Sequence, residues 1–203
     1  MKDIIKESLS KSLTYLEYRK VVSELLLEGK STGDVQSEEL LHYSNLNETR
    51  MNRLEKTIAI TPENVERLKL LKKKYLWIFI SEGWCGDAAQ LLPIMHKMEV
   101  LSDNIDFKIV LRDDNEDLMN EFLTNGGKSI PKLLILDSET LEVLGDWGPR
   151  PQEAFDLVKN YKEKHGVIDE TIKTDLQMWY LHDKGLSTQK ELLEMMRLIE
   201  IQE

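Results

Sequence analysis

The chain has 203 residues, 41% hydrophobic and 32% charged, enough apolar material for a folded core and too much for a disordered chain. Its 37 acidic against 27 basic residues give a formal charge of -10, which disfavours general nucleic-acid binding. The single cysteine, Cys85, excludes an intrachain disulfide and an all-cysteine zinc site and suits a reducing compartment.

Lys2, Asp3, Lys6, Glu7 and Lys11 interrupt every apolar stretch at the start, so no signal peptide is expected. The longest apolar run, residues 75–80, falls far short of the roughly 20 residues of a membrane helix. A cytoplasmic protein with no membrane or nucleic-acid partner is expected, one domain with additions.

Apolar residues at three- and four-residue spacing predict a helix over residues 4–26, stopped near Gly29. A polar linker runs to about Ser37, and Leu40, Leu41, Leu46, Met51, Leu54 and Ile58 mark a second helical stretch. Thr61 caps a third helix with Pro62 at its first position, and Lys72, Lys73 and Lys74 close it, as cations at the negative end of a helix dipole or as a binding patch. The pattern then changes to short runs rich in β-branched and aromatic residues. Residues 75–80, 106–111 and 132–136 read as buried strands and 142–144 as an edge strand, with helices over 88–101 and 115–123 between them. Parallel βαβ units joined to a hairpin imply a three-layer α/β arrangement. A helix from Asp169 reaches Gly185, and Thr188 with Glu191 forms a capping box for the last helix.

The most informative stretch is Ser81-Glu82-Gly83-Trp84-Cys85-Gly86-Asp87-Ala88, a thiol between a buried strand and a helix start. Free amide protons and the positive end of the helix dipole favour thiolate there, so Cys85 is expected to be reactive, the alternative being a small buried residue. Asp87 has two readings, a structural acid in the first helical turn or a group that transfers protons or orients substrate. Its charge would also disfavour the thiolate. His96, eleven residues after Cys85, stands roughly 16 Å along the helix, too far for a dyad, and His42, His165 and His182 show no metal-ligand spacing. Asp113, Asp114, Glu116 and Asp117 lack the glycine and terminal glutamate of a calcium loop. Arg112 is a candidate partner for Asp87. Trp147-Gly148-Pro149-Arg150-Pro151 leads rigidly into the next helix or lends Trp147 and Arg150 to ligand binding.

Trp84-Cys85-Gly86-Asp87-Ala88 resembles the Trp-Cys-Gly-Pro-Cys signature of the thioredoxin family, and Pro93 matches the proline of that family's active-site helix. Ser129-Ile130-Pro131, ahead of a strand, resembles its cis-proline loop, which lies against the catalytic sulfur. The resemblance covers residues 61–165 and is nearest to bacterial variants with Cys-Gly-Asp-Ala in the motif and helical additions at both ends. It implies an α/β, thioredoxin-like three-layer fold with a central mixed sheet. A domain at 61–165 would lie between an N-terminal helical extension at 1–60 and a C-terminal one at 166–203. It also implies Cys85 and Asp87 as catalytic residues and Trp84, Gly86, Ile130, Pro131 and Trp147 as the substrate groove.

Three departures limit the inference: Ala88 replaces the resolving cysteine, Phe79 the buried acid, and Asp87 the proline. A dithiol cycle is therefore excluded. The expected function is monothiol thiol-disulfide exchange through Cys85 with protein or low-molecular-weight thiols and disulfides, without metal or cofactor. The alternative is a non-catalytic binding module, and a peroxidase would require Asp87 to activate the peroxide. The oligomeric state is not legible.

Overall fold

A computed structural model, which describes residues 1–202, builds the chain around a strand buried along its whole length, β1 (Tyr75–Ser81). Strand β2 (Ile105–Leu111) lies parallel to it, and β3 (Lys132–Asp137) runs antiparallel on its other side. The hairpin partner β4 (Val143–Trp147) completes a mixed sheet in the order β2-β1-β3-β4. β1 alternates nothing polar into solvent because helices cover both faces of the sheet, the condition under which a strand reads as a continuous apolar run. Trp77, Phe79 and Phe107 meet edge to face in that core. The fold is three-layer α/β and thioredoxin-like.

The predicted first helix is two: α1 (Lys2–Ser10) and α2 (Tyr15–Leu27). Between them Leu13 exchanges both backbone hydrogen bonds with Ile109 of β2, each 2.8 Å, which covers part of the sheet edge and breaks the helix. Thr14 and Glu17 then form a reciprocal capping box. The third helix, α3 (Glu38–Thr57), is capped by Ser37 and packs along α5 (Gly86–Val100). Thr61 caps α4 (Pro62–Lys69) with Pro62 in the first turn. The Lys72–74 cluster lies beyond this helix rather than closing it; Arg67 and Lys69 occupy the last turn. The stretch at 115–123 contracts to a 3-10 turn, Asp113–Asn115, and a short α6 (Glu116–Glu121).

After β4, α7 (Gln152–His165) ends at Gly166, α8 (Glu170–Asp183) is capped by Asp169, and α9 (Leu186–Gln202) follows at once. The proposed Thr188 cap is not one. Thr188 lies inside α9, and Glu191 instead accepts from the Trp147 indole and the Gln152 amide, each at 2.8 Å. Helix α8 packs on α7, and α9 on α4, β4 and α5. Both helical additions thus lie against the layers that carry Cys85. Among the described residues no helix is long and apolar enough to cross a membrane.

Candidate functional site

β1 ends in a turn that delivers Cys85 to the N-cap of α5: the Cys85 amide donates to the Glu82 carbonyl at 3.0 Å, and its carbonyl receives the Ala89 amide at 3.2 Å. Two distant segments fasten the turn. Thr32 accepts from the Gly83 amide at 2.7 Å, and Asn47 of α3 donates to the Gly83 carbonyl at 2.9 Å. Opposite the sulfur lies the loop before β3, where the Ile130–Pro131 peptide bond is cis. The thiol donates weakly to the Ile130 carbonyl at 3.5 Å.

The expectation of a readily ionised thiol is overturned. Cys85 is only 6% exposed, and burial, followed by the nearby Asp87 charge, pushes its pKa up to about 12. The amides of Ala88 and Asp87 and the Arg150 charge act the other way and are outweighed. A helix start favours the thiolate, but its partial charge does not replace the lost water. Cys85 rests as a thiol at neutral pH.

Asp87 is fully engaged. Arg150 holds its Oδ2 through Nε at 3.2 Å and through Nη2, while Tyr180 of α8 donates to Oδ1 at 2.7 Å. The partner is therefore Arg150 and not Arg112, because the chain after β4 returns over the head of α5. Arg112 pairs instead with Asp113 and covers the Trp84 ring at 5.0 Å. Asp87 thereby ties α5, the chain after β4 and α8 together.

A cavity of about 560 Å³ opens on the sulfur. Trp84, Cys85, Gly86, Asp87 and Ile130 line it at the thiol, so both expected catalytic residues and three of the five expected groove residues meet there. The opposite walls come from helices outside residues 61–165: Tyr43 and Arg50 of α3, and Lys173 and Gln177 of α8 among them. Pro131 is buried behind Ile130 and does not line the cavity. Trp147 lies elsewhere. It is the last residue of β4, paired with Leu133, and its indole is turned to Glu191 of α9. Gly148 brings the next turn against Pro131: its φ is +121°, and a Cβ there would stand 2.5 Å from the Pro131 carbonyl oxygen.

Several residues of the site escaped sequence reasoning. Glu82, three residues before the thiol, is wholly buried, and burial raises its carboxyl pKa against hydrogen bonds from Thr32 and the Asp113 amide. An acid is ordinarily exposed, so only its place directly after a buried strand hinted at this. Arg50, Tyr43, Lys173 and Tyr180 carry no local signal, since tertiary packing alone brings their helices over Cys85. His96 takes no part in the site; it stacks on Tyr15 and bonds Glu99 at 2.9 Å. Among the described residues no group of three or more His, Cys, Asp or Glu is placed to hold a metal ion.

The thioredoxin family model matches residues 33–162, from ahead of α3 into α7. Two solved structures share the fold. One is a protein of unknown function from Pseudomonas aeruginosa, 18% identical with a TM-score of 0.59, and the other an HIV epitope-scaffold, 20% identical with a TM-score of 0.57. Each comparison covers 86% of this chain and 96% of the other. No curated protein matches the sequence.

Proposed function

Because the chain belongs to the thioredoxin family, we propose that it performs monothiol thiol-disulfide exchange through Cys85, as one of that family's Trp-Cys-Gly-Asp-Ala variants. The observation that carries this reading is the position of the sulfur. Cys85 is the N-cap residue of α5, where the amides of Asp87 and Ala88 favour its thiolate, and its sulfur faces the Ile130 carbonyl and opens on a cavity of about 560 Å³. Cys85 loses its proton to solvent and attacks one sulfur of a disulfide RS–SR. The S–S bond breaks, Cys85–S–S–R forms, and the departing thiolate takes up a proton as RSH. With Ala88 where a second thiol would stand, an external thiol attacks the adduct and restores Cys85. Asp87 acts by positioning Arg150 and Tyr180 rather than by proton transfer.

The resting thiol is slow. Against its ordinary value of 9.0, a pKa of about 12 lowers the thiolate population roughly 1000-fold near pH 7. The more basic thiolate is more nucleophilic and recovers roughly 20-fold, leaving exchange about fiftyfold slower than a free thiol. The same burial favours a second reading, a binding module in which Cys85 is an inert wall of the cavity.

Wild type incubated with glutathione disulfide at mildly alkaline pH, followed by intact mass with Cys85→Ser as blank, separates the two. The expected result is a mixed disulfide that persists until an added thiol removes it. In Ala88→Cys the adduct should collapse to an internal disulfide and release glutathione. If wild type forms no adduct even as pH is raised towards 10, the exchange reading fails and the module reading takes its place.

A further inference from the structure

Arg50, at the mouth of the thiol site, has no carboxylate within 4.0 Å among the described residues. It projects from α3 into the cavity on Cys85, and a Cβ at Gly86 would lie 3.6 Å from its Nη1. Its one side-chain hydrogen bond among the described residues runs from Nη1 to Asn47 Oδ1 at 2.5 Å. Asn47, 1% exposed, is itself held to the Gly83 carbonyl, so the guanidinium is fixed relative to the turn that carries the thiol. A neutral asparagine orients the charge without neutralising it. Arg53, one turn along α3, likewise has no carboxylate within 4.0 Å among the described residues.

In a chain with ten more acids than bases, no acid is placed to pair with the Arg50 guanidinium among the described residues. The acids that line the cavity do not pair with it: Asp87 is taken by Arg150, Glu170 by Lys173 at 2.7 Å, and Glu39 stands exposed at the rim. A half-buried guanidinium loses hydration that only a hydrogen-bonded anion restores well, and its planar fork matches a carboxylate. Burial accordingly lowers the Arg50 pKa and the neighbouring Arg53 charge adds to that, while the charge of Asp87, bonded to Arg150 rather than to Arg50, offsets only part of it. The cavity is walled in part by α3 and α8, opens to solvent, and has a volume in the range of a small-molecule site.

We propose that the cavity takes a small carboxylate-bearing thiol or its disulfide, with Arg50 pairing the carboxylate and so presenting the ligand's sulfur to Cys85. The substrate class rests on the exchange reading; the anion site does not. In the exchange step Cys85–SH and RS–SR give Cys85–S–SR and RSH, with no net oxidation.

The test uses three disulfides of one skeleton, 3,3′-dithiodipropionate, bis(2-hydroxyethyl) disulfide and cystamine, which are anionic, neutral and cationic. Adduct formation by intact mass should be roughly tenfold faster with the dipropionate than with the hydroxyethyl compound, the scale of one charge-assisted pair. Arg50→Gln should erase the preference and Arg50→Lys restore part of it, at unchanged helical content. Calorimetry on Cys85→Ser reads the site without the chemistry: dipropionate should bind, and Cys85→Ser with Arg50→Gln should weaken it about tenfold. Adducts that form without regard to ligand charge or Arg50 overturn the anion site and leave the exchange reading standing. Absent adducts with Arg50-dependent binding do the reverse. Neither adduct nor binding refutes both.

Discussion

Replacing Asp87 with asparagine should make the protein less stable and its thiol more reactive, two effects that rarely coincide unless a buried charge joins them. Asp87 is 9% exposed and accepts from Arg150 and from Tyr180. Its removal leaves the Arg150 guanidinium, 18% exposed at the side chain, without a counterion. Breaking a buried ion pair from one side costs about 3 to 5 kcal/mol, and an asparagine oxygen that keeps one hydrogen bond places the loss near about 3 kcal/mol. In a chain of this size that lowers the melting temperature by roughly 6 to 12 °C. Asp87 also raises the Cys85 pKa, second only to burial, while Arg150 lowers it. Removing the carboxylate therefore favours the thiolate, with the Arg150 charge retained. Each tenfold gain in thiolate is offset by reduced nucleophilicity, so alkylation should rise about three- to fourfold per decade of thiolate gained. Thermal melts paired with iodoacetamide labelling followed by mass spectrometry read both effects. Tyr180→Phe is the control, because it loosens the same tie by one hydrogen bond to a charged acceptor, about 1.5 to 3 kcal/mol, while leaving the Asp87 charge in place. If Asp87→Asn labels no faster than Tyr180→Phe, or melts with wild type, the ascribed role of the carboxylate is wrong.

The raised Cys85 pKa also sets a pH dependence of stability. The thiol ionises near 9.0 when unfolded and near 12 when folded, so between these values the folded state binds more protons. Its contribution is fully present below about pH 9 and is lost at up to about 1.4 kcal/mol per pH unit as pH rises towards 12. Urea unfolding of wild type against Cys85→Ser at two pH values in that window should show the gap; parallel curves would mean the sulfur is not buried as described. Gly148→Ala should cost more than about 2 kcal/mol, from a left-handed backbone and a Cβ driven onto the Pro131 carbonyl, and should speed Cys85 labelling as the loop shifts. A variant with wild-type stability and labelling would show that the turn yields without disturbing the site.

Much of the architecture was legible because it is written locally. Apolar runs marked all three buried strands, Thr61 and Pro62 the start of α4, and the strand-to-helix junction the place of Cys85. What failed was whatever depends on remote partners. The first helix breaks because Leu13 joins Ile109 of β2, and no periodicity within residues 4–26 reports a partner that far away. Thr188 and Glu191 have capping-box spacing, yet the chain turns helical again right after Gly185, and Glu191 goes to Trp147. The thiol itself is the clearest case. Its helix-start position was local and correctly read as favouring the thiolate, but α3 and α8, from opposite ends of the chain, wall its cavity, and Asp87 is held beside it by Arg150 and Tyr180. Backbone preference belongs to a few neighbouring residues, whereas desolvation and charge pairing belong to whatever the folded chain brings near. The sequence alone therefore determined where the sulfur would stand, and only the tertiary structure decided that it rests protonated in a cavity walled by α3 and α8, beside an Asp87 held by Arg150 and Tyr180.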